Sequence, residues 1–352
     1  MRKKKVAFIV PTLDGGGAER VIVTLLNHLS RDLFDPHLVI INYGGKYEKD
    51  VSSDVIVHHL HCSRVRSSFI PLVRTIRAIQ PDVVLSTISY LNLALLMIKP
   101  LLPKQMKFII RESNTPSAFL PTMSWPALWK FLFRMFYRQA DLIICQSDHM
   151  IEDMSASFGL DKGNMLRIYN PVDIQKISKL TASVINPFEG MRGPHIVCAG
   201  RLTHQKGFDR IIVKLVEWKK DNPDLKVWIL GEGELKASLQ EQAKAAGVSD
   251  HIEFSGFQDN PYQWLSHADL FILCSRYEGL PNIMLEAIAC GCPVLAVENP
   301  GGTHEIMQIH NLQGQYVSVL PDSLTFDYRK EPLSSSFMVD QIIKQYEKVL
   351  KY

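Results

Sequence analysis

Between Leu270 and Val297 the chain reads as one strand–loop–helix–strand unit, and no other stretch restricts the possible folds as much. LFILC, Leu270 to Cys274, has the length and flanks of a buried strand, and SRYEGLPN supplies turn residues. IMLEAIAC then repeats apolar residues at helical spacing, and PVLAV returns to strand character. In a parallel sheet such a unit sets its loop at the carboxyl edge of the strands, where open α/β sheets bind ligands, and points the start of the next helix at the same place. Glu278 falls in this loop and Glu286 on the helix opened by Pro281 and Asn282. A carboxylate flanked by Leu285, Ala287 and Ile288 needs a partner to be tolerated, so Glu286 is a candidate ligand residue rather than an ordinary surface glutamate.

The same grammar recurs along the chain. KVAFIV, Lys5 to Val10, leads through PTLDGGG into the helical pattern AERVIVTLLNHLS. Strand-like runs follow at HLVIIN, VIVHHL, DVVLS, KFIIRES and DLIICQS, separated by helical segments such as FIPLVRTIRAI. This alternation is that of an α/β protein, and 352 residues are long for one core, so two domains are expected. A polar, irregular stretch after YNPVD, running through INPFEGMRGP to Pro194, sets the break. The expected domains are 1–175 and 190–335, with 336–352 an amphipathic terminal helix.

Charged and glycine residues collect at the expected carboxyl edges. Gly15, Gly16 and Gly17 allow close backbone approach before a helix start that favours negative charge; they form either a ligand loop or a plain tight turn. Arg111, Glu112 and Asn114 end another strand, either facing a ligand or closing a loop ion pair. In GRLTHQKGFD, Arg201 and Lys206 stand between Gly200 and Gly207 at a helix start, a cradle suited to a diphosphate. Gly301, Gly302 and Thr303 offer further N–H groups to phosphate.

Composition limits the partners. At 46% hydrophobic and 21% charged the chain is globular, and its longest apolar stretch, LNLALLMIKPLL, is broken by Lys99 and Pro100 short of a membrane span. Pro11 cuts the first apolar run too early for a signal peptide, so a first strand is expected there. The six cysteines lie mostly in apolar runs without zinc spacing, as in a reducing, cytoplasmic compartment. Residues 1–175 carry 21 Lys and Arg against 15 Asp and Glu, the remainder 18 against 21, so the first half is the one suited to an anionic surface. Within it Trp125, Leu128, Trp129, Leu132, Phe133 and Phe136 run beside Lys130, Arg134 and Arg138. That pattern fits either an interfacial helix on anionic lipid or a core helix with a solvated basic edge, and the nearby Lys99, Lys104 and Lys107 favour a peripheral membrane contact.

Taken together, E-x7-E within SRYEGLPNIMLEAIACGCPVLA and the spacing of GRLTHQKGFD resemble the donor-site signature of the retaining glycosyltransferases of family 4. The resemblance implies a GT-B fold: two Rossmann-like β/α/β domains facing across a cleft, the first for the acceptor, the second for a nucleotide-sugar donor, with the C-terminal helix crossing back to the first. It implies that Arg201 and Lys206 neutralise the diphosphate, that Glu286 holds the ribose hydroxyls, and that Glu278 touches the donor sugar. Gly279, Leu280, Pro281, Asn282, Gly301 and Gly302 would complete the donor site, and Gly256 and Phe257 would border the base. Gly15, Gly16, Gly17, Arg111, Glu112 and Asn114 would lie in acceptor or cleft loops; the histidine that some members carry near the last of these is absent. No metal, cofactor or nucleic acid is expected, since no Asp-x-Asp pair exists and the nucleotide-sugar, a UDP-sugar, is itself a substrate. The expected reaction transfers a hexose or N-acetylhexosamine to a lipid-linked glycan during bacterial surface polysaccharide assembly, at the inner face of the cytoplasmic membrane. Three rivals stand beside it: a relative acting on a soluble acceptor, a non-catalytic nucleotide-sugar binder, and a nicotinamide oxidoreductase, the last disfavoured because G-x-G-x-x-G is broken by Ala18, Glu19 and Arg20.

Overall fold

The computed structural model describes residues 2–182 and 185–351. The chain divides into two compact units, one formed by Met1–Pro171 with Val339–Tyr352 and the other by Val172–Met338.

Among the described residues, unit 1 is built on seven parallel strands: β1 (Lys4–Val10), β2 (Phe34–Ile40), β3 (Ile56–His59), β4 (Val83–Thr87), β5 (Lys107–Arg111), β6 (Leu142–Cys145) and β7 (Met165–Arg167). They are arranged β3-β2-β1-β4-β5-β6-β7, which is a doubly wound order. Strands β1 and β4 are near-continuous apolar runs because helices cover both faces of a parallel sheet. Those helices are α1 (Gly17–His28), α2 (Phe69–Ile79), α3 (Ser89–Ile98), the single turn α4 (Pro116–Phe119), α5 (Pro126–Phe136) and α6 (Asp148–Phe158). Ser147 caps α6 by accepting from the Met150 N–H at 3.1 Å, and Gly159 ends it in the left-handed region. Strand β7 went unread in the sequence because three residues at a sheet edge carry no period.

Unit 2 opens with α7 (Ile174–Thr181), inside the stretch expected to be irregular. Asp173 caps it at the Lys176 N–H, and Ile177 buries its one strong apolar contact. Of that stretch, Ser183 and Val184 lie outside the described residues. There follow β8 (His195–Ala199), α8 (Phe208–Asp221), β9 (Lys226–Leu230), α9 (Lys236–Ala245), β10 (Ile252–Gly256), α10 (Tyr262–Leu265), β11 (Leu270–Leu273), α11 (Asn282–Ala289), β12 (Val294–Val297), α12 (Thr303–Ile309) and β13 (Tyr316–Val317). The parallel sheet runs β10-β9-β8-β11-β12-β13, repeating the order of unit 1. Each unit has its own apolar core.

The last helix, α13 (Val339–Leu350), belongs to unit 1 and packs on α1. Val339, Ile342, Ile343, Tyr346 and Val349 recur at helical spacing and are buried, each worth about 1.5–3 kcal/mol when fully removed from water. Glu347 fixes its register by accepting the Ser30 N–H at 2.9 Å.

Candidate functional site

In each unit the strand order reverses beside the first strand, between β1 and β4 and between β8 and β11. The loops leaving those strands are therefore where a ligand site is expected.

In unit 2 the loop after β8 carries Arg201 and Lys206, the loop after β11 carries Ser275 to Pro281, and the loop after β12 carries Asn299 to Gly302. Backbone bonds lace them together: the Arg276 N–H donates to Gln205 O at 2.7 Å, Glu278 N–H to Pro300 O at 2.9 Å, and Gly302 N–H to Gly279 O at 2.7 Å. This close stacking needs glycine at two positions. A Cβ on Gly207 would stand 2.2 Å from Cys274 O, and one on Gly301 2.1 Å from Glu278 O; both residues have positive φ. Inside the laced loops the Lys206 Nζ meets Glu278 Oε1 at 2.6 Å, and Ser275 Oγ donates to the same oxygen at 2.6 Å. Glu278 is only 5% exposed, while Arg201 is exposed and has no ion-pair partner among the described residues. Below them Arg276 grips Asp209 through two bonds of 2.9 and 2.6 Å, which holds the Asp209 carboxyl below the usual range. Glu286 is buried on α11, behind a helix start formed by Pro281 and Asn282. Gly256 and Phe257 close β10, two strands away from β8 on the same carboxyl edge.

In unit 1 the charges are used differently. Arg111 and Glu112 are both fully buried and make no ion pair with each other among the described residues. The Arg111 guanidinium donates to Thr87 Oγ1 at 3.1 Å and to Asn170 Oδ1; Asn170 donates to Gln146 Oε1 at 3.0 Å, and Gln146 to Glu112 O at 2.6 Å. The Glu112 carboxyl accepts from Ser89 Oγ at 2.7 Å, from Asn92 Nδ2 at 2.9 Å and from the Tyr137 hydroxyl. Burial raises the Glu112 carboxyl above its ordinary value, and the three donors only partly offset this. Arg111 and Glu112 thus pin β4, β5 and α3 from inside, while Ser113 and Asn114 of the loop that follows line a cavity with Tyr90 and Trp129. Ile88 beside it is held at φ 76°, a strained setting for a β-branched residue.

The glycine loop of unit 1 is held by side chains of its own neighbourhood. Its helix start is already served by Glu19, which is buried and lies so close that a Cβ on Gly16 would be 2.2 Å from Glu19 Oε2. A second anion at that helix start would meet this carboxylate. Tyr47 ties the loop down by donating to Gly15 O at 3.3 Å and accepting from Arg20 Nε at 3.0 Å.

With that geometry in view, residues 15–176 match Glycosyltransferase Family 4 and residues 187–317 match Glycosyl transferases group 1. The chain belongs to glycosyltransferase family 4. This glycosyltransferase is 28% identical over 315 residues, 86% of its own length and 83% of the relative's, to the N-acetylgalactosamine-N,N'-diacetylbacillosaminyl-diphospho-undecaprenol 4-alpha-N-acetylgalactosaminyltransferase of Campylobacter jejuni. It is 25% identical to the lipopolysaccharide core biosynthesis glycosyltransferase LpsE of Rhizobium meliloti, covering 81% of this chain and 77% of that one. Among solved structures, HepE of Anabaena, determined with UDP and glucose, matches over 99% of both chains at a TM-score of 0.73 and 18% identity. The fold is GT-B.

Several residues of this glycosyltransferase that build the loops carried no signal in the sequence. Ser275 orients Glu278, the Arg276–Asp209 pair braces the loop after β11, and Asn299 shapes the glycine turn by accepting from Thr303 Oγ1 at 3.0 Å. Ser89, Asn92 and Tyr137 are scattered over nearly fifty positions and meet only around Glu112. Helix α5 divides as well: Phe133 is buried and Trp129, Leu132 and Phe136 pack partly on the core, whereas Trp125, Leu128, Phe131 and Met135 are exposed beside Lys130, Arg134 and Arg138. Lys99, counted with the basic cluster, is instead paired with Asp141 at 2.8 Å. Among the described residues no helix is long and apolar enough to cross a membrane. The buried thiols are held protonated, those of Cys274 and Cys292 pushed up to about 12 by burial.

Proposed function

We propose that this protein is a retaining, metal-independent glycosyltransferase that moves a hexose or N-acetylhexosamine from a UDP-sugar to a lipid-linked glycan in bacterial surface polysaccharide assembly. The observation that carries the donor half is the Lys206–Glu278 pair set beside exposed Arg201 at the point where β8 and β11 diverge. When the sugar–phosphate bond breaks, UDP departs with negative charge, and Arg201, Lys206, the N–H group of Gly301 and the start of α11 are suited to receive it. Glu286 serves the ribose hydroxyls, a carboxylate being able to accept both. Glu278, held by Ser275 and Lys206, faces the sugar as a positioning and charge-balancing group rather than a nucleophile. The acceptor oxygen attacks the anomeric carbon on the face that UDP leaves, and its proton passes to a departing phosphate oxygen, so the anomeric configuration is kept without a protein base.

The acceptor half is supported by the likeness to the Campylobacter transferase, named for an undecaprenol-diphosphate-linked acceptor, and by the surface of α5. Trp125, 77% exposed, with Leu128 and Phe131 beside Lys130, suits contact with an anionic bilayer at the inner face of the cytoplasmic membrane. UDP release measured across nucleotide-sugars with lipid-linked and soluble acceptors tests the whole reading. Turnover on lipid-linked acceptors, lowered about 10²-fold in Lys206→Ala while the fold persists, is the expected result. UDP binding without turnover on any acceptor would instead make the protein a nucleotide-sugar sensor.

A further inference from the structure

Unit 1 contains a cavity of about 560 Å³ at the carboxyl ends of β1 and β2, within the range of about 300–1,000 Å³ typical of ligand sites. Its walls are mainly apolar: Ile41, Phe69, Leu93, Met97 and Leu132 line it. Two arginines, Arg64 and Arg66, also line it; both are exposed, and among the described residues neither is paired with a carboxylate. Tyr90 and Trp129 form a wall common to this cavity and to the smaller one that holds Asn114. Trp129 belongs to α5, whose other face carries the exposed Leu128 and Phe131, and Ile70, next to Phe69, is 67% exposed.

Hydrocarbon walls and unpaired guanidinium groups at one cavity ask for one chemistry, a long apolar chain joined directly to an anionic phosphate linkage. Two forked cations match two phosphates better than one. We propose that this cavity is the lipid end of the acceptor site, taking the phosphate-proximal isoprenoid units of a polyprenyl-diphosphate-linked glycan while Arg64 and Arg66 bind the diphosphate. The inference rests on the lipid-linked acceptor reading above and assigns it to residues that no part of that reading used. The glycan then extends from the diphosphate past Tyr90 toward the cavity of Asn114. Arg64 and Arg66 are binding residues here, and their loss is expected to raise KM for the lipid acceptor more than it lowers kcat.

The test uses the full chain in dilute detergent, with geranylgeranyl diphosphate as probe and equilibrium dialysis and tryptophan fluorescence as readouts, alongside a UDP titration of each preparation. Saturable binding is expected, with geranylgeraniol and inorganic pyrophosphate each weaker by about tenfold or more, since each keeps only half of the contacts. Arg64→Glu with Arg66→Glu, and separately Met97→Trp, which plugs the cavity at a half-buried position, are each expected to weaken the probe about tenfold or more. UDP binding in these variants is expected to match the parent. Parent-like probe binding in both variants overturns the proposal, as does pyrophosphate binding as tightly as the prenyl diphosphate. Intact UDP binding with no probe binding removes the lipid subsite and leaves the donor reading standing; probe binding without UDP binding does the reverse.

Discussion

The two sheets share one strand order and use its switch point in opposite ways. In unit 2, Lys206, Glu278 and Arg201 stand in the loops themselves, laced so closely that only glycine fits at 207 and 301. In unit 1, Arg111 and Glu112 occupy the same carboxyl edge but are wholly withdrawn into a hydrogen-bonded network, and the cavity at the ends of β1 and β2 is lined largely by apolar side chains. The same backbone topology thus offers a charged cradle on one sheet and a greasy hollow on the other. What a switch point binds is decided by which side chains are left reachable there, not by the topology that creates it.

Four experiments break or sharpen this contrast. The largest effect is expected from Phe133→Ala, which removes a fully buried ring that stacks on Tyr137 and lines the smaller cavity of unit 1, and costs about 3–5 kcal/mol, read by denaturant unfolding. A loss below 1 kcal/mol would mean that the hollow is soft rather than built. Next, Lys206→Ala is expected to lower sugar transfer about 10²-fold, the cost typical of losing one charge-stabilising donor, with a much smaller change in stability. Transfer at parental rate would move the diphosphate cradle elsewhere.

The third experiment separates the buried from the reachable charges by pH. Glu112 is held above its ordinary 4.5 by burial, so the folded state binds its proton more tightly than the unfolded chain. Its contribution to stability is full below 4.5 and falls as pH rises through the folded value. Asp209 is held below its ordinary 3.8 by Arg276, so its contribution is full above 3.8 and is lost as pH falls through the folded value. Glu112→Gln is expected to cost about 1–3 kcal/mol and to flatten the first slope; Asp209→Asn flattens the second. Unfolding midpoints across pH that keep the parental slope in Glu112→Gln would assign that slope to another group. The smallest effect on folding, within about 0.5 kcal/mol, is expected for Phe131→Ser, which is exposed on α5; flotation on anionic vesicles is where this variant should fall behind the parent. Unchanged flotation would return α5 to the role of an ordinary edge helix.

Apart from β7 and α7, the main alternation of strands and helices was legible, down to Glu286 on the helix that Asn282 opens, because period, caps and turn residues act within a few positions of one another. GRLTHQKGFD and SRYEGLPN were legible as loops for the same reason. Their joining was not, since Lys206 and Glu278 lie 72 positions apart and meet only through the β8–β11 pairing. Arg111 and Glu112 read as site residues because polarity at a strand end looks alike whether it faces a ligand or a partner such as Asn170, 59 positions away. Helix α7 hid in a polar stretch because three apolar residues are too few to declare a face.

The sequence by itself therefore determined the layered α/β architecture and the loops that carry its chemistry. Only the tertiary structure decided which charges remain at the surface and which are spent inside, and gathered Pro11, Arg64, Tyr90 and Trp129 around one hollow. Burial and hydrogen-bond partnership are set by contacts distant in sequence, and no local period records them.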